Sequence, residues 1–277
     1  DEDGLIVIRY SGRQEDPIFI SDDNGGIYVI WSDFRNEPMS DGQPFAQHIT
    51  SDGILSWGEN GLPLSNDKLT EFSLNLCRDG NGGAYATWKS KYGGHYASYL
   101  NINNSGPIGE VEVISNEWSH SHPSLETAGD GDAVMVWADE RNDDKDIYGQ
   151  RLGFDGTNVL MEWETIEDDD GDGEDNYPKG GIPIVSATGD QSSQKVTYYS
   201  EEYSVIVWQD ERYNSAMPDI FATFIDAAGE PAALYGENGL PIASSRDESG
   251  IQQAQNAPHK KPRVKADNDG AMVIWND

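Results

Sequence analysis

The chain has 277 residues, enough for one large domain or a short repeat array. Its 18 Lys and Arg against 50 Asp and Glu leave a net charge of −32, which opposes binding to nucleic acid or to an anionic membrane surface. No apolar run approaches the roughly 20 residues that a membrane-spanning helix needs, so no membrane insertion is expected.

The 30 glycines, 8 tryptophans and 13 tyrosines suit many short strands joined by turns rather than long helices. Cys77 is the one cysteine, which excludes an intrachain disulfide; within Leu74-Asn75-Leu76-Cys77 it reads as a small buried hydrophobe. The first residues, Asp1-Glu2-Asp3-Gly4, carry no signal-peptide pattern, which fits a cytoplasmic chain or a mature form whose signal has been removed. The acidic surface and a calcium-like loop favour an extracellular or cell-surface location.

In chain order, Gly4-Leu5-Ile6-Val7-Ile8 reads as an outer strand, extended over residues 4–10. A repeat then begins. Its first segment often opens on Pro about fourteen residues before a Trp: Pro17-Ile18-Phe19-Ile20, Pro123-Ser124-Leu125 and Pro262-Arg263-Val264. Proline is tolerated at the first position of a strand, where no ladder donor is lost. An Asp/Asn/Gly turn follows (22–26, 79–83, 129–132, 267–270), with residues that accept the positive φ of tight hairpins.

The second segment is a nearly continuous apolar strand ending in Trp, as in Ile27-Tyr28-Val29-Ile30-Trp31 and Ala133-Val134-Met135-Val136-Trp137. Such a strand is expected to be covered on both faces. Three of these strands run into Trp-x-Asp-x-Arg: Trp31 to Arg35, Trp137 to Arg141 and Trp208 to Arg212. Trp88 and Trp275 begin degraded copies. The third segment is aromatic-small-x-x-aliphatic, as in Phe45-Ala46-Gln47-His48-Ile49 and Tyr148-Gly149-Gln150-Arg151-Leu152. The fourth opens Gly-aliphatic-Pro at Gly61, Gly181 and Gly239, where Pro suits an edge strand.

Four antiparallel strands in each repeat of about 50 residues point to an all-β chain, a β-propeller of five four-stranded blades. The repeats are placed at 17–66, 71–115, 121–187, 194–245 and 262–277, within one domain spanning 1–277, with an acidic insertion over 164–180. The fifth is closed by the N-terminal strand over 4–10 or by a neighbouring chain. An Asp recurring once per repeat is expected to be structural. In Trp-x-Asp-x-Arg, the indole N–H should find a backbone carbonyl, the Asp should bond turn N–H groups, and the Arg should pair with the Asp or stack on an aromatic.

Gly-Gly-apolar-Trp-x-Asp-x-Arg, Asp146-Ile147-Tyr148-Gly149-Gln150-Arg151 and Glu-Asn-Gly-Leu-Pro (59–63, 237–241) together resemble repeats of secreted and cell-surface β-propeller proteins of bacteria. The resemblance implies adhesion, carbohydrate binding or scaffolding. A looser similarity to sialidase propellers begins at Ser21-Asp22-Asp23-Asn24-Gly25. Trp31 arrives three residues late for that pattern, and Arg35, Arg141 and Arg212 occupy equivalent repeat positions that a ring would separate.

The one local chemical signal is 168–176. Asp168, Asp170 and Asp172 present oxygens at alternate positions, Gly173 permits the turn, and Asp175 or Asn176 adds a ligand, which suits a structural Ca²⁺. Lys179 stands where an EF-hand has its bidentate Glu, so a full EF-hand is excluded. His120 and His122 share a face if extended but lack a third ligand, and read as strand-entry residues. Lys260, Lys261, Arg263 and Lys265 form the basic cluster, expected to pair with carboxylates or a partner subunit.

The resulting expectation is a non-enzymatic extracellular or surface module, structural, adhesive, or binding carbohydrate or protein. Two alternatives stand beside it. One is a propeller glycoside hydrolase whose two carboxylates, about 5–10 Å apart, break the repeat, with Glu110, Glu162, Glu164 and Glu202 the first to test. The other is a self-associating subunit.

Overall fold

A computed structural model describes residues 4–35, 42–65, 70–101, 103, 106–115, 119–163, 180–244, 258–267 and 269–276. Among these residues there are nineteen strands and no helix, hence none long and apolar enough to cross a membrane. The first sheet is a meander of β1 (Gln14–Ser21), β2 (Ile27–Asp33), β3 (Gln43–Ile49) and β4 (Leu62–Pro63), hydrogen-bonded in that order. The second repeats it with β5 (Thr70–Arg78), β6 (Gly83–Ser90), β7 (Gly93–Asn101) and β8 (Ile108–Ile114). The third joins β9 (Ser124–Thr127), β10 (Ala133–Asn142) and β11 (Asp144–Phe154), and β11 then takes both β12 (Val159–Met161) and β13 (Ile182–Val185) on its far edge. The fourth is β14 (Gln191–Tyr198), β15 (Ser204–Asp210), β16 (Asp219–Ile225) and β17 (Leu240–Ala243). Finally, β18 (Lys260–Asp267) and β19 (Gly270–Asn276) form an antiparallel pair.

Recurring antiparallel meanders of this kind are propeller blades, and the fold class is the all-β propeller. Two details depart from the sequence reading. Residues 4–10 form no strand; Val7 and Ile8 instead pack beside Val29, Trp31 and Phe45 of the first sheet. The strand β12 was not expected from sequence; its counterparts in the first and fourth copies are the single bridges Ile49–Leu55 and Ile225–Pro231.

The chain divides into two compact units, 1–117 with 130–133 and 152–160, and 118–129 with 134–151 and 161–277. Within the first, Tyr28 and Ile30 of β2 pack with Ala84, Ala86 and Trp88 of β6, so two sheets lie face to face. The Tyr28 hydroxyl also donates to the Gly82 carbonyl at 2.7 Å, and the Tyr85 hydroxyl to that of Gly131 at 3.0 Å. Within the second, Val134, Val136 and Ile147 pack with Val196, Ile206, Trp208 and Phe221. Val205 and Val207 pack with Val264 and Val273 of the last pair. This double covering explains the continuous apolar runs of the second strands.

The hairpin turns follow their sequence. Asp22 Oδ1 accepts from the Asn24 and Gly26 N–H groups at 2.8 Å each, and Asp79 Oδ1 does the same for Asn81 and Gly83 at 2.6 and 2.8 Å. The short polar side chain thus supplies the acceptor that the turn backbone lacks.

The Trp-x-Asp-x-Arg motif builds one device three times. In the fourth sheet, Arg212 Nε donates to Asp210 Oδ1 at 2.8 Å and its Nη2 to Oδ2 at 2.6 Å. The Arg212 backbone N–H also reaches Oδ1, at 2.9 Å. The Trp208 indole N–H donates to the same carboxylate at 2.7 Å, not to the backbone carbonyl expected from sequence. Arg212 lies over the Phe221 ring at 4.0 Å and donates to the Asn238 carbonyl at 2.9 Å. Asp33–Arg35 and Asp139–Arg141 repeat the arrangement, with Arg35 donating to Asn60 O and Arg141 to Gly180 O at 2.8 and 2.7 Å. The residue after each of those carbonyls is the glycine of Gly-aliphatic-Pro. Trp31, Trp88, Trp137 and Trp208 are 0–2% exposed, whereas Trp275 of the last pair is 36% exposed.

Candidate active site

All three motif arginines are consumed by their own aspartates, so they do not converge on a ligand. Cys77 is buried, as its neighbours imply. The acidic segment holding Asp168, Asp170, Asp172, Asp175 and Asn176, with its expected Ca²⁺, lies outside the described residues. Among the described residues no group of three or more His, Cys, Asp or Glu is placed to hold a metal ion.

Of the four glutamates singled out from sequence, three lie among the described residues. Glu110 accepts from the Ser65 hydroxyl at 2.6 Å. Glu162 directs its backbone N–H to Arg151 O as part of strand pairing. Glu202 sits on the turn over 199–203, and Glu164 lies outside the described residues.

A cleft of about 590 Å³ opens where the first strands of the third, fourth and last sheets begin, within the second unit. Backbone bulges shape it. The register slips between Ser192 and Lys195 in β14 and between Lys260 and Arg263 in β18, and Ser193 and Lys261 take φ values of 57° and 52°. Bulges of this kind re-aim side chains, and they recur beside active sites. Asp16 of β1 has the same bulge with φ 51°, so the device belongs to the repeat while the residues it presents differ.

The cleft is held rigidly. Gln194 is 1% exposed, and its amide nitrogen donates to Ser121 Oγ, His122 O and Val136 O at 3.0, 3.1 and 3.3 Å. Ser121 Oγ in turn accepts from the Ala138 N–H at 3.0 Å. On the rim, the Gly189 N–H donates to Asp144 Oδ2 at 2.9 Å and the Lys145 N–H to Asp190 Oδ1 at 3.3 Å.

Two acidic residues line the cleft: the Glu211 N–H donates to Asp190 O at 2.9 Å, so their backbones are neighbours, and Gln209 Nε2 donates to Glu211 Oε1 at 3.4 Å. Lys145 Nζ contacts Asp190 Oδ2 at 3.5 Å and Glu140 Oε1 at 3.1 Å. Its pKa is raised, by the Glu140 bond first and then by the charge of Asp190, so Lys145 stays protonated and sits as a cation between them. Among the described residues no cation pairs with Glu211. In the first sheet, Phe34 and Arg13 make the equivalent backbone bond, so the repeat does not prescribe Asp190, whereas Glu211 shares its place in Trp-x-Asp-x-Arg with Glu140. The departure at Asp190 was the signal available in the sequence. It was missed because Asp190 lies in the loop before the strand, where the alignment on Trp carries no register.

No protein-family model and no curated protein matches the chain. Solved structures do. The chain is similar to an endo-arabinase from Bacteroides thetaiotaomicron at 13% identity, covering 98% of this chain and 92% of that one, with a TM-score of 0.43. It is similar to an α-L-arabinanase of Penicillium chrysogenum complexed with arabinobiose at 10% identity, covering 98% and 78%, with a TM-score of 0.49. A polysaccharide lyase, an ulvan lyase bound to -[GlcA(1-4)Rha3S]-, matches at 10% identity over 94% of this chain and 64% of that one, with a TM-score of 0.49. The proteins concerned are enzymes that cleave carbohydrate, which stands against the expectation of a non-enzymatic module. At this distance they assign neither residue nor substrate to this chain. The absence of a matching family model leaves the resemblance to surface-repeat proteins at the level of architecture.

Proposed function

We propose that the chain is a propeller-type glycoside hydrolase, and that the cleft lined by Asp190 and Glu211 is its active site. The observation that carries this reading is that Asp190 and Glu211, joined through their backbones, both line one cleft, with Lys145 in contact with Asp190. Glycoside hydrolysis needs one carboxyl group to protonate the departing oxygen and a second, ionised, to act at the sugar carbon directly or through water. In this reading Asp190, in contact with Lys145, acts at the sugar carbon, and Glu211 protonates the departing oxygen. Ser121, Ser192, Ser193 and Gln194 line the same space and offer hydroxyl and amide groups to sugar hydroxyls. Asp190 and Glu211 flank the ends of β14 and β15, where the backbone bond between them holds the chain segments together without reorganisation at the moment of reaction. Polymeric sugars are met outside the cell, and we place the protein there.

The test is incubation of the purified chain with a panel of plant and algal polysaccharides, followed by assay of new reducing ends and mass analysis of products. The reading expects saturated oligosaccharides, with Glu211→Gln inactive. Products carrying a new double bond, or no cleavage anywhere in the panel, would reject it.

A further inference from the structure

Lys145 of the cleft has carboxylate partners. Lys195 of β14, and Arg263 of β18 from the basic cluster, do not: among the described residues neither forms an ion pair, although the chain carries 50 Asp and Glu. Instead the two cations line one wall of the cleft from neighbouring first strands, with Lys261 beside them. Like charges so placed repel each other. Lys195 is also half-buried; burial first, and the Arg263 charge second, push its pKa down. Leaving a partly desolvated cation next to another cation costs free energy unless an anion joins them. Sugar hydroxyls need no such arrangement, since neutral donors and acceptors satisfy them. The planar fork of Arg263 matches the two oxygens of a carboxylate or a sulfate.

We propose that Lys195 and Arg263, with Lys261 at the rim, form a subsite for an anionic group borne by the sugar chain, so that the cleft takes an acidic polysaccharide. The two sources of that chemistry are the carboxylate of a uronic acid and a sulfate ester. The proposal rests on the hydrolase reading for the site's purpose, but the binding it asserts is measurable without turnover. Elsewhere the field of the net −32 charge repels such a substrate, so the local cations must overcome that repulsion at short range.

Binding is measured by calorimetry on the Glu211→Gln chain with four probes: a short oligogalacturonate, a sulfated galactan oligosaccharide, a neutral arabino-oligosaccharide and inorganic sulfate. At least one acidic oligosaccharide is expected to bind about tenfold or more tighter than the neutral one. Whichever acidic probe binds identifies the source of the anion. Lys195→Gln and Arg263→Gln should each remove about tenfold of that preference while leaving neutral-sugar binding in place. Their melting temperatures should hold or rise, because a like-charge contact is relieved. Equal binding of acidic and neutral sugars, equal loss of both in the variants, or binding of inorganic sulfate alone would overturn the subsite. The hydrolase reading fails separately: if wild-type chain binds the acidic probe by these residues yet never cleaves it, the subsite stands and the hydrolase does not.

Discussion

Trp31 lies so close to Gly61 that a Cβ on the glycine would stand 2.5 Å from the ring Cη2 and 2.5 Å from the Ala46 carbonyl. Gly61 also holds a φ of 65°, and Gly239 and Gly181 meet Trp208 and Trp137 in the same way. Gly61→Ala should therefore add backbone strain to a clash that neither the ring nor the strand can yield to. We expect a loss of about 3 kcal/mol or more in denaturant unfolding, with the slope unchanged. A loss below about 1 kcal/mol would show that the outer strand shifts freely.

The Asp33–Arg35 pair is expected to dominate its sheet's electrostatics, since the aspartate side chain is 0% and the arginine 9% exposed. Asp33→Asn keeps the shape but leaves Arg35 half-satisfied, and should cost about 3–5 kcal/mol. Arg78 and Asp23 make an equally short contact at 52% and 36% exposure, and Arg78→Ala should cost no more than about 1 kcal/mol. Thermal unfolding of the two variants side by side checks the contrast.

Acid should destabilise the fold through the same aspartates. Burial alone would raise the pKa of Asp33, but the bonds from Arg35 and Trp31 outweigh it and hold the carboxyl below its usual value. Asp22 is likewise held low, against burial, by His48 and two turn N–H groups. A depressed folded pKa means stability that is complete above the unfolded value of about 3.9 and is lost as pH falls through the folded one. Asp146 works in the opposite sense: burial raises it, despite bonds from Ser186 and Asn142. Melting temperature should fall below about pH 4, and the fall should be shallower in Asp33→Asn than in wild type. A steeper fall in Asp33→Asn would contradict the assignment.

The architecture was legible because Trp-x-Asp-x-Arg and Gly-aliphatic-Pro each recur, and a recurring motif fixes strand type and spacing before any contact is known. What could not be read was that these two motifs are one structure, the Arg of the first capping the carbonyl before the Gly of the second. The indole partner was misassigned for the same reason, since a side chain two residues away competes with every backbone carbonyl nearby. The packing of Val7 and Ile8 carries no repeat signal at all. The cleft was hidden because Lys145, Lys195 and Arg263 come from different copies, and only strand packing brings them together.

Gln194 should matter to activity more than to folding. Gln194→Ala leaves Ser121 Oγ and the His122 and Val136 carbonyls without their shared donor. That should cost about 1–3 kcal/mol of stability. The cleft wall loses its fixed spacing, so turnover should fall by about tenfold or more while the fold persists at room temperature. Circular dichroism beside the cleavage assay separates the two effects.

Lys145→Gln removes the cation that Asp190 and Glu140 share. Turnover should fall by about 10- to 100-fold, because Asp190 then loses the contact that positions its carboxylate. An unchanged rate would place the reacting carboxylate elsewhere.

The most direct test of the central claim is cleavage in isotopically labelled water by wild type, Asp190→Asn and Glu211→Gln. Hydrolysis at this cleft predicts label in every new reducing end and a fall of about 10²- to 10⁴-fold in its rate for each variant. Unlabelled ends, or both variants cleaving at the wild-type rate, would contradict it.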